Sequence, residues 1–500
     1  MSKHPTLYQI NTRVWLNELS QQLGRPATFD DVPDSALDRM ARFGFEWVWF
    51  LGVWQTGEAS RQISIDNVRW RQELEESLSD LKDDDISGSP FAIQSYTVHQ
   101  EFGGNDALAR IRNRLRERGI KLLLDFVPNH TGLDHPWLDE HPEFFVHGSE
   151  ELIETEPQNY IRRETQSGNR IIAHGRDPFF DGWADTLQLN YRHEGFRAAM
   201  LETLGQVALE CDGVRCDMAM LLLPEVFQGT WGELSAPVDG SESVDAPFWP
   251  EAIRCIQRQH PDFIFMAEVY WELESELQDQ GFHYTYDKKL YDMLVRQDPH
   301  GVYQHLKADI RFHERSVHFL ENHDEPRANA AFEPGPHRAA AVTTFFTPGL
   351  NFFHDGQLKG RRTKLSMHLG RRPSEPTDTS LLHFYLRLLK CLERDEIRNG
   401  EWQLIGCKPA WEDNATFQSF FCYLWEGPKA ERLLVVVNYS PVRGQTRVVL
   451  PIPEWHGSTI ILEDLLGSEW YERDGTEMIS DGLYLDLPDW GYNVFQLETT

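Results

Sequence analysis

The sequence predicts an α/β fold: a (β/α)8 TIM barrel with an inserted subdomain after strand 3 and a C-terminal antiparallel β-sandwich domain. Three observations predict it. About eight short apolar runs, each followed by a helical pattern, alternate as far as about Gly400. One connection, about 60 residues from Thr131 to Asn190, is far too long for an ordinary βα loop. Beyond about Gly400 the apolar pattern changes to period two, the signature of half-buried antiparallel strands. The boundaries drawn from these shifts are 1–130 with 187–400 for the barrel, 131–186 for the insertion and 401–500 for the β domain.

Each unit has its own reason. Leu7 to Ile10 is strand-like, and Ser35 to Arg42 puts Leu37, Met40 and Ala41 on one helical face. Trp47 to Leu51 is a continuous apolar run, as a strand buried on both faces requires. Asp106 to Arg118 is helical through Leu108, Ile111 and Leu115, and Lys121 to Val127 is the third strand. Then follow helix Phe196 to Leu209, strand Gly213 to Cys216, helix Phe248 to Gln259 and strand Phe263 to Ala267. Tyr284 to Tyr286, Val317 to Leu320 and Leu350 to Phe353 complete the strands, with helices Arg338 to Phe346 and Leu381 to Leu392. Regular alternation means a parallel sheet, and eight units close one. The C-terminal strands are Phe420 to Trp425, Leu433 to Asn438, Thr446 to Leu450, Thr459 to Leu462 and Gly491 to Leu497. No Gly-x-Gly-x-x-Gly follows the first strand, so a dinucleotide fold has no support.

Composition excludes several functions. Lys and Arg number 48 against 79 Asp and Glu, a net charge of −31. Such a surface repels phosphate backbones and anionic lipid, so no nucleic-acid or membrane partner is expected. No run of 18 apolar residues occurs. The start, Met1 to Pro5, runs straight into an apolar strand without a leader-like segment, which reads as cytoplasmic. The six cysteines (211, 216, 255, 391, 407 and 422) lack a Cys-x-x-Cys pair and read as core thiols. The helix expected from Asp66 to Lys82 reads as a solvated charged face, with a lid over the cleft mouth as the alternative.

Barrel chemistry sits at the C-terminal ends of strands. There the sequence places Asp125 to His130, Arg215-Cys216-Asp217, Ala267-Glu268 and Glu321 to Asp324. Several carboxylates, two histidines and an arginine would converge on one mouth. Retaining glycosidic cleavage needs such a set: a carboxylate nucleophile and a carboxylic acid about 5 Å away. Arg215, two residues before Asp217 on one strand face, would hold that carboxylate ionised. Glu268 follows Phe263 to Met266 and precedes Val269, an apolar setting that suits an acid. The histidines His130, His135, His141 and His147 have neither helical spacing nor a cysteine partner, so they read as loop residues rather than a metal centre.

Asp125 to His130, Gly213 to Asp217, Ala267 to Tyr270 and Glu321 to Asp324 resemble, in order, the four signature regions of the α-amylase superfamily, glycoside hydrolase family 13. The resemblance runs from Leu7 to about Arg394, and 401–500 is similar to that family's C-terminal domain. It implies Asp217 as nucleophile, Glu268 as acid/base and Asp324 as the third acid, gripping the sugar hydroxyls. It implies His130, Arg215 and His323 around the same sugar, and Phe91 as the ring stacked under it. Leu187 to Asn190 resembles a fifth region in an α-glucosidase-like form, and Arg327 matches an arginine of exo-acting relatives. Asn129 matches a calcium ligand of many amylases, so no cofactor is required but a structural calcium is left open.

Two departures bear on substrate. Met220 and Leu221 stand where many amylases carry Lys-His, which predicts a more apolar acceptor side and small substrates. The acid that accompanies Arg327 in exo-acting relatives has Ala92 and Ser95 in its places. The sequence thus predicts a retaining hydrolase of short α-glucans or small α-glucosides. The alternative is a glucosyltransferase or phosphorylase using the same carboxylates, and a catalytically dead binding protein is disfavoured by three intact acids. Bond type, chain length and oligomeric state are left open.

Overall fold

The computed structural model describes residues 2–166 and 168–500, so Met1 and Ser167 lie outside the described residues. Eight parallel strands close the barrel: β1 (Thr6–Asn11), β2 (Trp47–Leu51), β3 (Lys121–Phe126), β4 (Gly213–Cys216), β5 (Ile264–Ala267), β6 (Tyr284–Tyr286), β7 (Ser316–His318) and β8 (Leu350–His354). Neighbours follow chain order, and β1 pairs with both β2 and β8 to complete the ring. The strands are short and mostly buried on both faces, which is why β2 reads as an unbroken apolar run.

Each strand is followed by helix, for example Asp34–Arg42 after β1, Gly104–Arg116 after β2 and Glu194–Glu210 after β3. Amphipathic spacing seats them: Leu108, Ile111 and Leu115 of the second are buried. The helix Pro334–Phe345 after β7 differs, being buried almost all round from Ala339 to Phe345. It lies between barrel and β domain, so it has no polar face to show.

The β domain holds a six-stranded and a three-stranded antiparallel sheet. Its period-two pattern divides between two cores. Phe421, Tyr423, Trp425, Leu433, Val435 and Val437 join the barrel core, whereas Phe420, Cys422, Leu424, Leu434 and Val436 join the domain's own. Trp425 also donates from its indole to the carbonyl of Phe346, 3.0 Å away, and meets His4 edge-on at 5.1 Å. The β domain is therefore fastened to the barrel by a packed, hydrogen-bonded seam. All six cysteines are free.

The inserted segment leaves the barrel through a short antiparallel stem, His130–Gly132 against Thr186–Gln188. Beyond the stem lies a hairpin, Tyr160–Thr165 with Gly168–Ala173. The expected single helix from Asp66 to Lys82 is corrected to two, Glu58–Asp66 and Val68–Ser77, broken at Asn67. Asn67 accepts from the backbone of Trp70 and so starts the second helix as its cap. This pair is not simply a solvated face. Leu74, Leu78 and Ile86 pack on Leu369, and the Ser77 hydroxyl donates to the carbonyl of Lys364. No helix among the described residues is long and apolar enough to cross a membrane.

Candidate active site

The site is built on backbone that extends the barrel ladder. The amide of Asp217 donates to Phe126 at 2.8 Å, and that of Glu268 to Cys216 at 3.0 Å. Both acids are thus placed by strand pairing rather than by loop folding. Asp125, at the end of β3, faces the protein instead. Its carboxyl accepts from the Trp49 indole at 2.9 Å and from the Gly52 amide at 2.6 Å. Burial lifts its pKa to about 7 against those donors. It stitches β2 to β3 and is a structural acid.

Arg215 is the centre of the buried charged cluster. One arm of its buried guanidinium is paired with Asp217, and the other lies 2.8 Å from Glu268 Oε2. Three rings pack around it, with Phe91 at 5.3 Å, Trp49 at 5.4 Å and Tyr286 at 5.9 Å. A planar, delocalised cation is the kind of charge that such a cage accommodates. The aromatic wall excludes water, and the two carboxylates keep the arginine charged.

Burial raises the pKa of Asp217, and Arg215 opposes that rise. Glu268 is pushed up to about 7, chiefly by burial, with Asp217 and Asp324 adding to the rise and Arg215 opposing it. Two further donors hold Glu268. The Met218 amide reaches Oε2 at 2.7 Å, and the Tyr270 hydroxyl reaches Oε1 at 2.8 Å. Met218 has φ of 43°, a left-handed turn that aims its N–H at the acid. Glu268 protonated can give its proton, and ionised it has donors ready to receive it.

Asp324 closes the other side, with its side chain 28% exposed where Asp217 and Glu268 are almost covered. The Asn322 side chain accepts from the amides of Asp324 and Glu325, both at 2.8 Å, which fixes this turn. His323 Nε2 lies 3.1 Å from Asp324 Oδ2. The Gln9 amide donates to His323 Nδ1 at 2.9 Å, leaving the ring proton on Nε2, toward Asp324. Burial keeps His323 and His130 neutral, each with pKa lowered to about 3. Phe91 and His323 have ring centroids 5.5 Å apart, and His130 rests on Trp183 of the insertion at 5.1 Å.

Asp217, Glu268, Asp324, Arg215, His323 and Phe91 therefore meet at one mouth, with His130 at its insertion side. Arg327 faces elsewhere. Its guanidinium is 2.9 Å from Glu321 and 2.9 Å from the carbonyl of Asp355. It lines, with His323 and His354, a cavity of about 30 Å³ that is too small for a sugar. Asn129 donates to Gln188 at 3.2 Å and accepts from it at 3.0 Å, a buried reciprocal amide pair. An amide committed in this way does not fit a calcium ligand, which would have to turn its oxygen to the ion.

Met220 and Leu221 require a correction. The turn Ala219–Leu222 directs both into the core, 0% and 3% exposed, so neither forms the acceptor wall. Met218, half-buried, is the residue of that turn nearer the surface. Sequence reading also passed over Tyr270, whose i, i+2 spacing from Glu268 was the available signal.

The profile described as alpha amylase, catalytic domain, matches residues 89–376, more than half of the chain. The chain belongs to the alpha-amylase family. Its closed barrel with four acid-bearing strand ends is thus a glycoside hydrolase family 13-like enzyme domain. An alpha-1,4-glucan:maltose-1-phosphate maltosyltransferase of Pseudomonas aeruginosa is 25% identical over 275 residues, 52% of this chain and 33% of that protein. The alpha-amylase MalA of Haloarcula japonica is 24% identical over 366 residues, 71% of this chain and 44% of that one. The chain thus spans less than half the length of these curated relatives. Among solved structures, a maltogenic alpha-amylase of Thermotoga neapolitana superposes with TM-score 0.68 at 17% identity, covering 99% of both chains. At that identity the likeness is one of fold.

Proposed function

We propose that this alpha-amylase family protein is a retaining glycosidase acting on short α-glucans or small α-glucosides. The observation that carries the reading is Arg215 bridging Asp217 and Glu268. Two carboxyls on the two arms of one guanidinium are close neighbours, as the retaining mechanism requires at about 5 Å. Asp217 attacks the anomeric carbon while Glu268 gives its proton to the leaving oxygen. The glycosidic bond breaks and an ester to Asp217 forms. Glu268, now a carboxylate, takes a proton from the incoming acceptor as that acceptor displaces Asp217. Asp324 holds hydroxyls of the same sugar, with neutral His323 beside it.

The shallowly exposed acids support small substrates, because only Asp324 has much open surface. The acceptor can be water, a sugar hydroxyl or phosphate, and the same acids serve all three. Transfer gains support from the relatives named as maltosyltransferases. The test is product analysis by anomeric NMR and mass spectrometry. The panel is maltose, isomaltose, trehalose, sucrose, maltotriose and starch, with and without phosphate. Free α-anomeric sugar is expected; new glucosides or sugar phosphates would assign transfer. Normal activity of Asp217→Asn on every α-glucoside would overturn both.

A further inference from the structure

Three histidines gather around one buried carboxylate where β6 passes to β7. Asp287 follows β6 directly and is 2% exposed. His318 ends β7, and His313 lies on the short helix Ile310–Glu314 between the two strands; both are 0% exposed. Asp287 Oδ2 lies 3.3 Å from His318 Nδ1 and 2.8 Å from His305 Nε2. One donor atom each from Asp287, His313 and His318 falls within 4.8 Å of the others.

Hydrogen bonding leaves lone pairs in this group unanswered. His318 Nε2 lies 2.9 Å from the carbonyl of Pro348, which can only accept, so that nitrogen carries the ring proton. Nδ1 is then a bare lone pair, and it faces Asp287 Oδ2 without a hydrogen bond. Two lone pairs 3.3 Å apart in a buried site repel unless positive charge lies between them. Neither ring nitrogen of His313 makes a hydrogen bond either. The Leu306 carbonyl faces one of them, which leaves the other free to ligate. Asp287 Oδ1 is already committed, accepting from the Leu290 amide at 3.0 Å as a helix cap. A proton on His318 would settle one contact and leave His313 unanswered. One divalent cation settles both.

We propose that Asp287, His313 and His318 form a structural site for a divalent transition metal of the zinc class. Two imidazoles and one carboxylate are a donor set such ions take, whereas calcium and magnesium take oxygen. His305 is a positioning residue: its hydrogen bond to Asp287 Oδ2 fixes the carboxylate, as the partners of metal-bound groups do. The ligands come from the end of β6, from the connection 288–315 and from β7, so the ion ties that connection to the barrel ladder. It would hold the fold whatever reaction the barrel performs.

The test strips the whole chain with a chelator, dialyses it and titrates it with zinc chloride by calorimetry. About one zinc per chain is expected to bind, and Tm is expected to fall on stripping and return with zinc but not with calcium. His313→Ala and Asp287→Asn are each expected to abolish that binding while circular dichroism remains that of the folded barrel. His305→Gln is expected to weaken it about tenfold. No bound zinc, a Tm indifferent to zinc, or binding unchanged in both ligand variants overturns the site; the last result would assign the ion to surface histidines. X-ray absorption at the zinc edge of the unaltered, loaded protein decides the matter even where a variant fails to fold. Imidazole nitrogens at about 2.0 Å are expected, and a shell of oxygen alone overturns the site.

Discussion

Tyr270→Phe removes one oxygen and leaves the ring in place. The Tyr270 hydroxyl donates to Glu268 Oε1 at 2.8 Å. Burial and the neighbouring carboxyl hold the phenol's own pKa well above its ordinary value, so it remains a donor throughout the working range. A hydrogen bond to a charged group contributes about 1.5–3 kcal/mol, and one pKa unit is about 1.36 kcal/mol. Tyr270 is half-buried, so water replaces part of the lost bond and the lower end applies. The carboxylate loses stabilisation and the protonated acid does not. The pKa of Glu268, about 7 in the intact site, therefore rises by about one unit. Because Glu268 must be protonated to act first, the alkaline limb of kcat/KM should move up by that amount. The assay is kcat/KM against pH on maltotriose, from about pH 5 to about pH 10. An alkaline limb that stays in place or moves down would refute the argument that this bond holds the charged form.

Other perturbations have equally definite outcomes. Arg215→Lys cannot bridge Asp217 and Glu268, so both limbs of the same profile should rise by more than about one unit, with activity at neutral pH falling sharply; unchanged limbs would remove Arg215 from the electrostatic argument. Trp425→Ala empties a buried site at the seam and removes the bond to Phe346, which should cost about 3–5 kcal/mol and lower Tm by calorimetry. An unaltered Tm would mean that the β domain is not fastened there. Because Gln188 occupies the amide of Asn129, adding or withdrawing calcium should leave activity and Tm unchanged, and a chelator-sensitive melt reversed by calcium would contradict that placement.

Much of the barrel was legible because its strands are mostly buried on both faces, and Trp47 to Leu51, apolar throughout, cannot be read as anything half-exposed. The four acid-bearing strand ends were legible for a related reason: polar residues that end such runs stand out, although Asp125 and Glu321 proved to hold the protein rather than line the mouth. What escaped was decided by tertiary neighbours. Glu321 is six residues before Arg327, a spacing with no local meaning, and only the fold makes them partners. Met220 and Leu221 follow Asp217 in sequence, yet a single tight turn sends them into the core. The charged segment near Asp66 keeps its composition across Asn67, and the break shows only through the cap on Trp70.

The stem of the insertion has an implication for grafting. It is three residue pairs long, and His130 occupies one of those pairs opposite Gln188. Side chains along a strand alternate faces, so a slip of one residue would turn His130 away from the acids. The segment between the stem strands can be lengthened, shortened or exchanged without that penalty. A chimera that swaps 133–182 while keeping 130–132 and 183–188, and with them Trp183 against His130, should therefore exchange the cleft wall, and with it the choice of sugar, while the donor subsite remains as it is.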